Sequence, residues 1–99
     1  PQGQSTSDNR VKDLILGYFF AEDFNKVVEL SFDIRVMDTR SLALILFARS
    51  QLNQDIKNSN EYKLFTDEFK ATNWEQVVDR FHIQDKKITT NLLNFIEAI

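Results

Sequence analysis

The chain has 99 residues, a hydrophobic content of 42% and a formal charge of −3 at neutral pH, which suit one folded domain and exclude a disordered polyelectrolyte. The negative balance provides no positive field to attract nucleic acid or an anionic membrane. The absence of cysteine excludes disulfides, zinc fingers and thiol catalysis, and the small number of Gly and Pro residues (two and one) favours helices over a many-stranded sheet.

The N-terminal residues are polar, and we assign residues 1–7 to a disordered linker before a single helical domain of residues 8–99. Ser7 or Asp8 is the predicted cap of the first helix. Apolar residues at helical spacing predict one buried arc on this helix up to about residue 20. The arc consists of Val11, Leu14, Ile15, Tyr18 and Phe19.

A second apolar pair lies on the opposite side of the same helix. Leu16 and Phe20 are four residues apart and therefore share a face. We interpret them as candidate partner-binding residues, because contiguous exposed apolar surface usually marks an interaction site. The favoured interpretation in a small multi-helix fold, however, is that another helix of the same domain covers this pair.

Residues 28–36 give an ambiguous signal. Apolar and polar residues alternate there, which is typical of a half-buried strand. No other segment alternates convincingly enough to pair with such a strand. We therefore favour a helix to about Phe32 followed by an extended connector, and keep as the alternative a strand paired with a second copy, which would make the fold α+β.

Residues 39–56 predict the central helix of the fold, with Asp38 or Thr39 as its cap. Its first half, residues 42–48, is apolar all round and so requires cover on every side. Arg49 follows within the apolar stripe of this helix. Because an unpaired buried guanidinium is costly, Arg49 either pairs with a carboxylate, extends to the surface, or contacts a partner.

The C-terminal half predicts three shorter helices. Asn58 with Glu61 and Thr72 with Glu75 have the spacing of capping pairs, and Asp85 is the predicted cap of the last helix. The apolar positions of these three helices are Tyr62, Phe65 and Phe69; Trp74, Val77, Val78 and Phe81; and Ile88, Leu92, Phe95, Ile96 and Ile99. The complete prediction is an all-α fold of five or six short helices in antiparallel hairpins.

The last two predicted helices also have helix-turn-helix proportions. The second of them begins with side chains that are able to contact phosphates and bases, namely Lys86, Lys87, Thr89, Thr90 and Asn91. Residues 74–99 contain three basic and four acidic side chains, however, which offers little counterion release. Nucleic-acid binding is therefore the second functional hypothesis.

No pattern in the sequence indicates catalysis. His82 lies near Asp79 and Asp85, where a role in proton transfer is conceivable but a turn or capping position is ordinary. The carboxylates lack metal-ligand spacing, and neither glycine belongs to a phosphate-binding motif. We expect no enzyme activity, no cofactor and no small-molecule substrate.

Residues 14–30 resemble one tetratricopeptide-type helical hairpin. Leu14, Tyr18 and Val27 stand at the positions of its leucine, tyrosine and small packing residue. Glu22 replaces the turn glycine, and the pattern does not recur after a shift of 34 residues. We interpret the resemblance as similar hairpin packing and assign no family.

The favoured function is a non-catalytic interaction or scaffolding module of a larger protein. It would dock a partner helix or peptide, or associate with a second copy, through an apolar helical face. An accessory domain that regulates an attached enzyme is a further alternative. We expect an intracellular location, in the cytoplasm or nucleus, since the chain contains no cysteine. We also expect a soluble chain, because no apolar run approaches the roughly 18–20 residues that span a bilayer.

Overall fold

In the computed structural model, which describes residues 2–81 and 85–99, the chain forms six α-helices. A 3₁₀ turn, Ile56–Asn58, precedes α4, and a π-helical segment, Phe65–Phe69, continues it. The helices are α1 (Gln2–Phe20), α2 (Phe24–Ser31), α3 (Thr39–Gln51), α4 (Asn60–Leu64), α5 (Trp74–Asp79) and α6 (Lys86–Ala98). The described residues include no strand, which confirms the all-α prediction.

Helix α3 is the centre of the fold, as its apolar sequence predicts. It packs against α1, α2, α4, α5 and α6. The side chains of residues 42–46 have no solvent exposure at all. Asp38 caps the helix by accepting a hydrogen bond from the Ser41 N–H. Of the apolar residues 42–48, all are buried except Phe47, which is half-buried and packs against the core.

The predicted C-terminal boundary of α3 at residue 56 is wrong. The helix ends at Gln51, and Asn53 adopts a left-handed conformation with φ of 58°. The Gln54 N–H then donates to the Arg49 carbonyl. Asparagine tolerates this conformation better than most residues, so it ends the helix without a glycine.

The predicted start of α1 is also wrong. The helix begins at Gln2, so residues 2–7, which the sequence assigned to a linker, are helical. Residues 2–7 include no proline, and extending a helix that has already formed costs little. The predicted cap Asp8 lies inside the helix, and its carboxylate contacts the connector between α2 and α3.

Most of the predicted apolar arc of α1 faces the core. Ile15 and Phe19 are buried, whereas Val11 and Tyr18 are half-buried. Leu14 is the exception, with 46% of its surface exposed, because α2 and α3 cover only the side of α1 centred on Ile15 and Phe19.

Helix α1 ends in a turn at Glu22, which has φ of 59°. The Asp23 N–H donates to the Tyr18 carbonyl, and the Asp23 side chain then caps α2. This left-handed position is the one at which the resembling hairpin has glycine.

Helix α2 ends at Ser31, and the chain then runs as a connector to α3. The strand alternative for residues 28–36 is therefore wrong, whereas the favoured prediction of a helix followed by a connector is correct. The alternation fails as a burial signal because Phe32 and Val36, on its apolar side, are both exposed.

The caps of the C-terminal helices differ from the prediction by one residue in two cases. Ser59 caps α4 and Asn73 caps α5, in place of Asn58 and Thr72. Each observed cap accepts a hydrogen bond from the N–H three residues ahead, which a cap one position earlier would not reach. Asp85 caps α6 as predicted. The predicted turn at residues 82–84, including His82, lies outside the described residues.

Within the described part of the chain, no helix has both the length and the apolar character needed to cross a membrane.

Candidate interaction surface

The most exposed large apolar side chains of the described residues lie on the connector between α2 and α3. Phe32 is 77% exposed and Val36 is 69% exposed, compared with 46% for Leu14 and 37% for Phe20. We call residues 32–36 the docking loop. Its side chains are Phe32, Asp33, Ile34, Arg35 and Val36, and all except Ile34 are exposed.

The middle of the docking loop is attached to the core. Ile34 is half-buried and packs against the main hydrophobic cluster. The Asp33 N–H donates to the Leu30 carbonyl at 3.0 Å, and the Ile34 N–H donates to the Ser31 carbonyl at 3.3 Å. The loop therefore leaves α2 as a hydrogen-bonded turn.

Asp8 of α1 holds the far end of the docking loop. Its Oδ1 accepts the Arg35 N–H at 3.1 Å and its Oδ2 accepts the Val36 N–H at 3.0 Å. The carboxylate is buried, and the Lys12 Nζ lies 4.0 Å from Oδ2. The two backbone hydrogen bonds lower the pKa of Asp8 below its ordinary value, because they favour the ionised carboxylate.

Arg49 of α3 lies beside the other end of the docking loop. Its guanidinium carbon is 5.9 Å from the centre of the Phe32 ring, which is within the range of a cation–π interaction. The Arg49 Nε donates to Glu61 at 2.5 Å and its Nη1 donates to Gln54 at 2.8 Å. Glu61 is thus the carboxylate partner that the position of Arg49 in the apolar stripe required.

Leu16 and Phe20 do not form a continuous exposed stripe. Leu16 is half-buried and packs against the core, while Phe20 remains partly exposed. The Phe20 ring is 6.0 Å from the ring of Phe19 in an edge-to-face arrangement. Cover within the domain therefore accounts for Leu16, and a partner-binding role for this pair stays a prediction.

Several of the predicted nucleic-acid-binding residues line an open groove between α5 and α6. Lys86, Thr89 and Thr90 line this groove, whose volume is about 580 Å³, together with the carboxylates of Glu75 and Asp79. The Thr89 hydroxyl donates to the Lys86 carbonyl. Lys87 and Asn91 are exposed on α6. Acidic side chains thus line the groove together with Lys86, and nucleic-acid binding stays a prediction.

Phe32 and Val36 were missed as candidate site residues. The sequence pattern assigned them to the apolar side of an alternating segment, which suggested burial. The signal that identifies them is the position of this alternation between two helices, because an extended connector there has no neighbouring strand to cover its apolar side chains.

No protein-family model matches the chain, and neither the curated proteins nor the solved structures include a match. Within the described residues, no group of three or more His, Asp or Glu side chains is arranged to hold a metal ion. The candidate surface therefore rests on the geometry of the docking loop.

Proposed function

We propose that the chain is a non-catalytic protein–protein interaction module that binds its partner through the docking loop. The observation that carries this proposal is the exposure of Phe32 and Val36 on a loop that is held at both ends. An apolar side chain that leaves the core normally costs free energy in water. A partner that covers both side chains recovers that free energy.

The composition of the docking loop supports this proposal. Aromatic residues and arginine are enriched among the residues that dominate the binding energy of interfaces, and the loop exposes Phe32, Arg35 and Val36 within five residues of sequence. A loop that is already ordered before binding loses less conformational entropy when it docks. The contacts from Asp8 and Arg49 provide that order.

The size of the surface favours a partner protein with a pocket over a second copy of the chain. Phe32 and Val36 together expose roughly 250 Å² of apolar surface, compared with about 800 Å² on each side of a standard interface. The loop is therefore suited to insert one anchor into a concave site. The cleft near α6 offers little apolar surface to such an anchor on a second copy, because Phe65, Trp74 and Ile96 are buried and only Ile99 is half-buried.

Charge suggests the character of the partner's pocket. Arg35 is exposed, and the ion pairs of the described residues involve other side chains. We expect an apolar pocket with a carboxylate at its rim, where it would pair with the Arg35 guanidinium. Such a pair at an exposed rim mainly affects the association rate and its salt dependence.

Position-specific cross-linking tests the proposal. A photoreactive amino acid replaces Asp33 in the docking loop or, as a control, Thr66 in the π-helical segment, since both positions are exposed. After illumination in an extract of the source cells, we expect a discrete cross-linked protein from position 33 and none from position 66. The same products from both positions would contradict the proposal, and a product made of two copies of the chain would favour self-association.

Matched variants show whether the loop's apolar side chains are responsible. Phe32→Ser with Val36→Ser should abolish the cross-link from position 33 while circular dichroism retains the helical spectrum. Leu14→Ser is the control, because Leu14 is also exposed and apolar but lies on α1. A cross-link that survives the double substitution would remove the docking loop as the binding surface.

A further inference from the structure

One buried carboxylate connects two parts of the chain that are distant in sequence. Asp8 and Val36 are 28 residues apart, yet both carboxylate oxygens of Asp8 accept hydrogen bonds from consecutive N–H groups of the docking loop. Only 8% of the Asp8 surface is exposed. A carboxylate in this position would be costly without such partners, so the loop and the side chain depend on each other.

The position of Asp8 is unusual for an acidic residue of a helix. Acidic side chains near a helix N-terminus ordinarily interact with the N–H groups of their own first turn. Asp8 instead follows six residues of α1 and contacts the neighbouring connector. The Asp8 side chain therefore does not cap its own helix. Its carboxylate instead accepts hydrogen bonds from the backbone of the docking loop.

We propose that Asp8 is the positioning residue of the docking loop, which it fixes in one conformation by holding the N–H groups of Arg35 and Val36. The inference rests on the proposed function, because it assigns Asp8 to the same binding surface. Asp8 itself does not contact the partner. Its ionised carboxylate keeps the backbone of the two exposed residues ordered for docking.

The charged groups that face the Asp8 carboxylate are Lys12 on α1 and Arg35 on the loop. Both favour its ionised form, in the same direction as the two hydrogen bonds. Because the pKa of Asp8 is lowered in the folded chain, its contribution is complete at neutral pH and is lost as the pH falls through that lowered value. The loop should thus stay fixed until the pH is below the ordinary aspartate value of about 3.8.

Amide hydrogen exchange measured by NMR tests the role of Asp8 directly. In Asp8→Asn, which weakens the charged hydrogen bonds with little change of shape, we expect the Arg35 and Val36 amides to exchange at least about tenfold faster. The amides of α3 should keep their protection. Asp13→Asn is the matched control, because Asp13 lies on the same helix and pairs with Arg40 outside the loop. Unchanged exchange at both loop amides would overturn the proposal.

A pH titration of the unmodified chain gives a second readout, which does not depend on the folding of any variant. The chemical shifts of the Arg35 and Val36 amides should titrate together with a midpoint below about 3.8, before the shifts of α3 change. Loop amides that change only together with those of α3 would report global acid unfolding and overturn the proposal.

Cross-linking from position 33 in the Asp8→Asn chain separates the two proposals. Faster loop exchange with a weakened cross-link supports positioning by Asp8. Faster loop exchange with an unchanged cross-link overturns the positioning role and leaves docking in place. If the chain with native Asp8 gives no cross-link, the proposed function fails first, and positioning for docking fails with it even where exchange shows that Asp8 holds the loop.

Discussion

The first half of α3 and the docking loop contain similar apolar residues in opposite surroundings. Residues 42–46 are completely buried, and five helices pack against α3, which contains them. In the docking loop, Phe32 and Val36 are exposed, Asp8 accepts hydrogen bonds from two backbone N–H groups, and the Arg49 guanidinium lies over the Phe32 ring. The difference shows that apolar composition alone does not decide burial. A helix at the centre of the fold gains cover from its neighbours, whereas a short connector at the surface does not.

The largest expected change in stability comes from shortening a buried side chain in the first half of α3. Leu44→Ala should lower the free energy of unfolding by about 2–5 kcal/mol, because Leu44 is fully buried and the vacated space cannot refill completely. Chemical denaturation monitored by circular dichroism measures this loss.

Phe32→Ala provides the matched truncation on the docking loop. It should lower the free energy of unfolding by less than about 1 kcal/mol, since Phe32 is 77% exposed and the Arg49 guanidinium lies over its ring. Equal losses for the two truncations would mean that the loop belongs to the folding core and would weaken its assignment as a binding surface.

The burial of the first half of α3 could be predicted from the sequence because the pattern that indicates it lies within a few neighbouring residues. Residues 42–48 have no polar face at any helical angle, so burial on all sides was the only outcome consistent with a helix. The cap of α3 and the ambiguous pattern at residues 28–36 also depend on near neighbours. The cap is Asp38, one of the two predicted residues, and the favoured helix followed by a connector is correct for residues 28–36.

The docking loop could not be predicted because its determinants are distant in sequence. The hydrogen bonds of Asp8 join residues 27 and 28 positions apart, and the contact of Arg49 with Phe32 joins two different elements. The sequence gives Asp8 the local pattern of a helix cap, which its long-range contacts override. Arg49 did require a partner, but Glu61 was one of many carboxylates that could have provided it.

The next largest change in stability is expected at Arg49, which lies where the core meets the docking loop. Arg49→Met should lower the free energy of unfolding by about 1–3 kcal/mol, because it leaves the Glu61 carboxylate, whose side chain is 14% exposed, without its charged partner. Arg49→Met with Glu61→Met should recover most of this loss. Urea denaturation of the single and double variants measures both changes.

Arg40→Met is the control for a surface ion pair. The partner of Arg40 is Asp13, whose side chain is 78% exposed, so this substitution should change stability by less than about 0.5 kcal/mol. For Arg49 itself, a higher melting temperature of Arg49→Met together with an intact cross-link from position 33 would exclude two roles. The ion pair with Glu61 would not stabilise the fold, and Arg49 would not contact the partner.

A smaller effect, with the opposite sign, is expected at the turn that joins α1 to α2. Glu22 has φ of 59°, a conformation that is strained for a residue with a Cβ atom. Glu22→Gly should raise the free energy of unfolding by about 1 kcal/mol, since glycine relieves the strain and loses only part of the gain to the entropy of the unfolded chain. Glu22→Ala retains the Cβ atom and should give no gain. Equal stabilisation by both would indicate that removal of the charge is the cause.

The smallest expected change in stability concerns Ser41, a polar residue buried in the largely apolar core. The Ser41 hydroxyl is buried and lacks a hydrogen-bond partner among the described residues, whereas the Ser41 N–H is satisfied by Asp38. Ser41→Ala keeps that N–H and removes the unpaired oxygen, and alanine also favours the helix by about 0.5 kcal/mol. Ser50→Ala, on the same helix but only half-buried, isolates the helix-propensity part. A higher melting temperature for Ser41→Ala than for Ser50→Ala would mean that the core prefers an entirely apolar α3. A lower one would mean that the hydroxyl forms a hydrogen bond in solution, and that the contrast between an apolar core and a loop fixed by polar contacts is less sharp than the described contacts indicate.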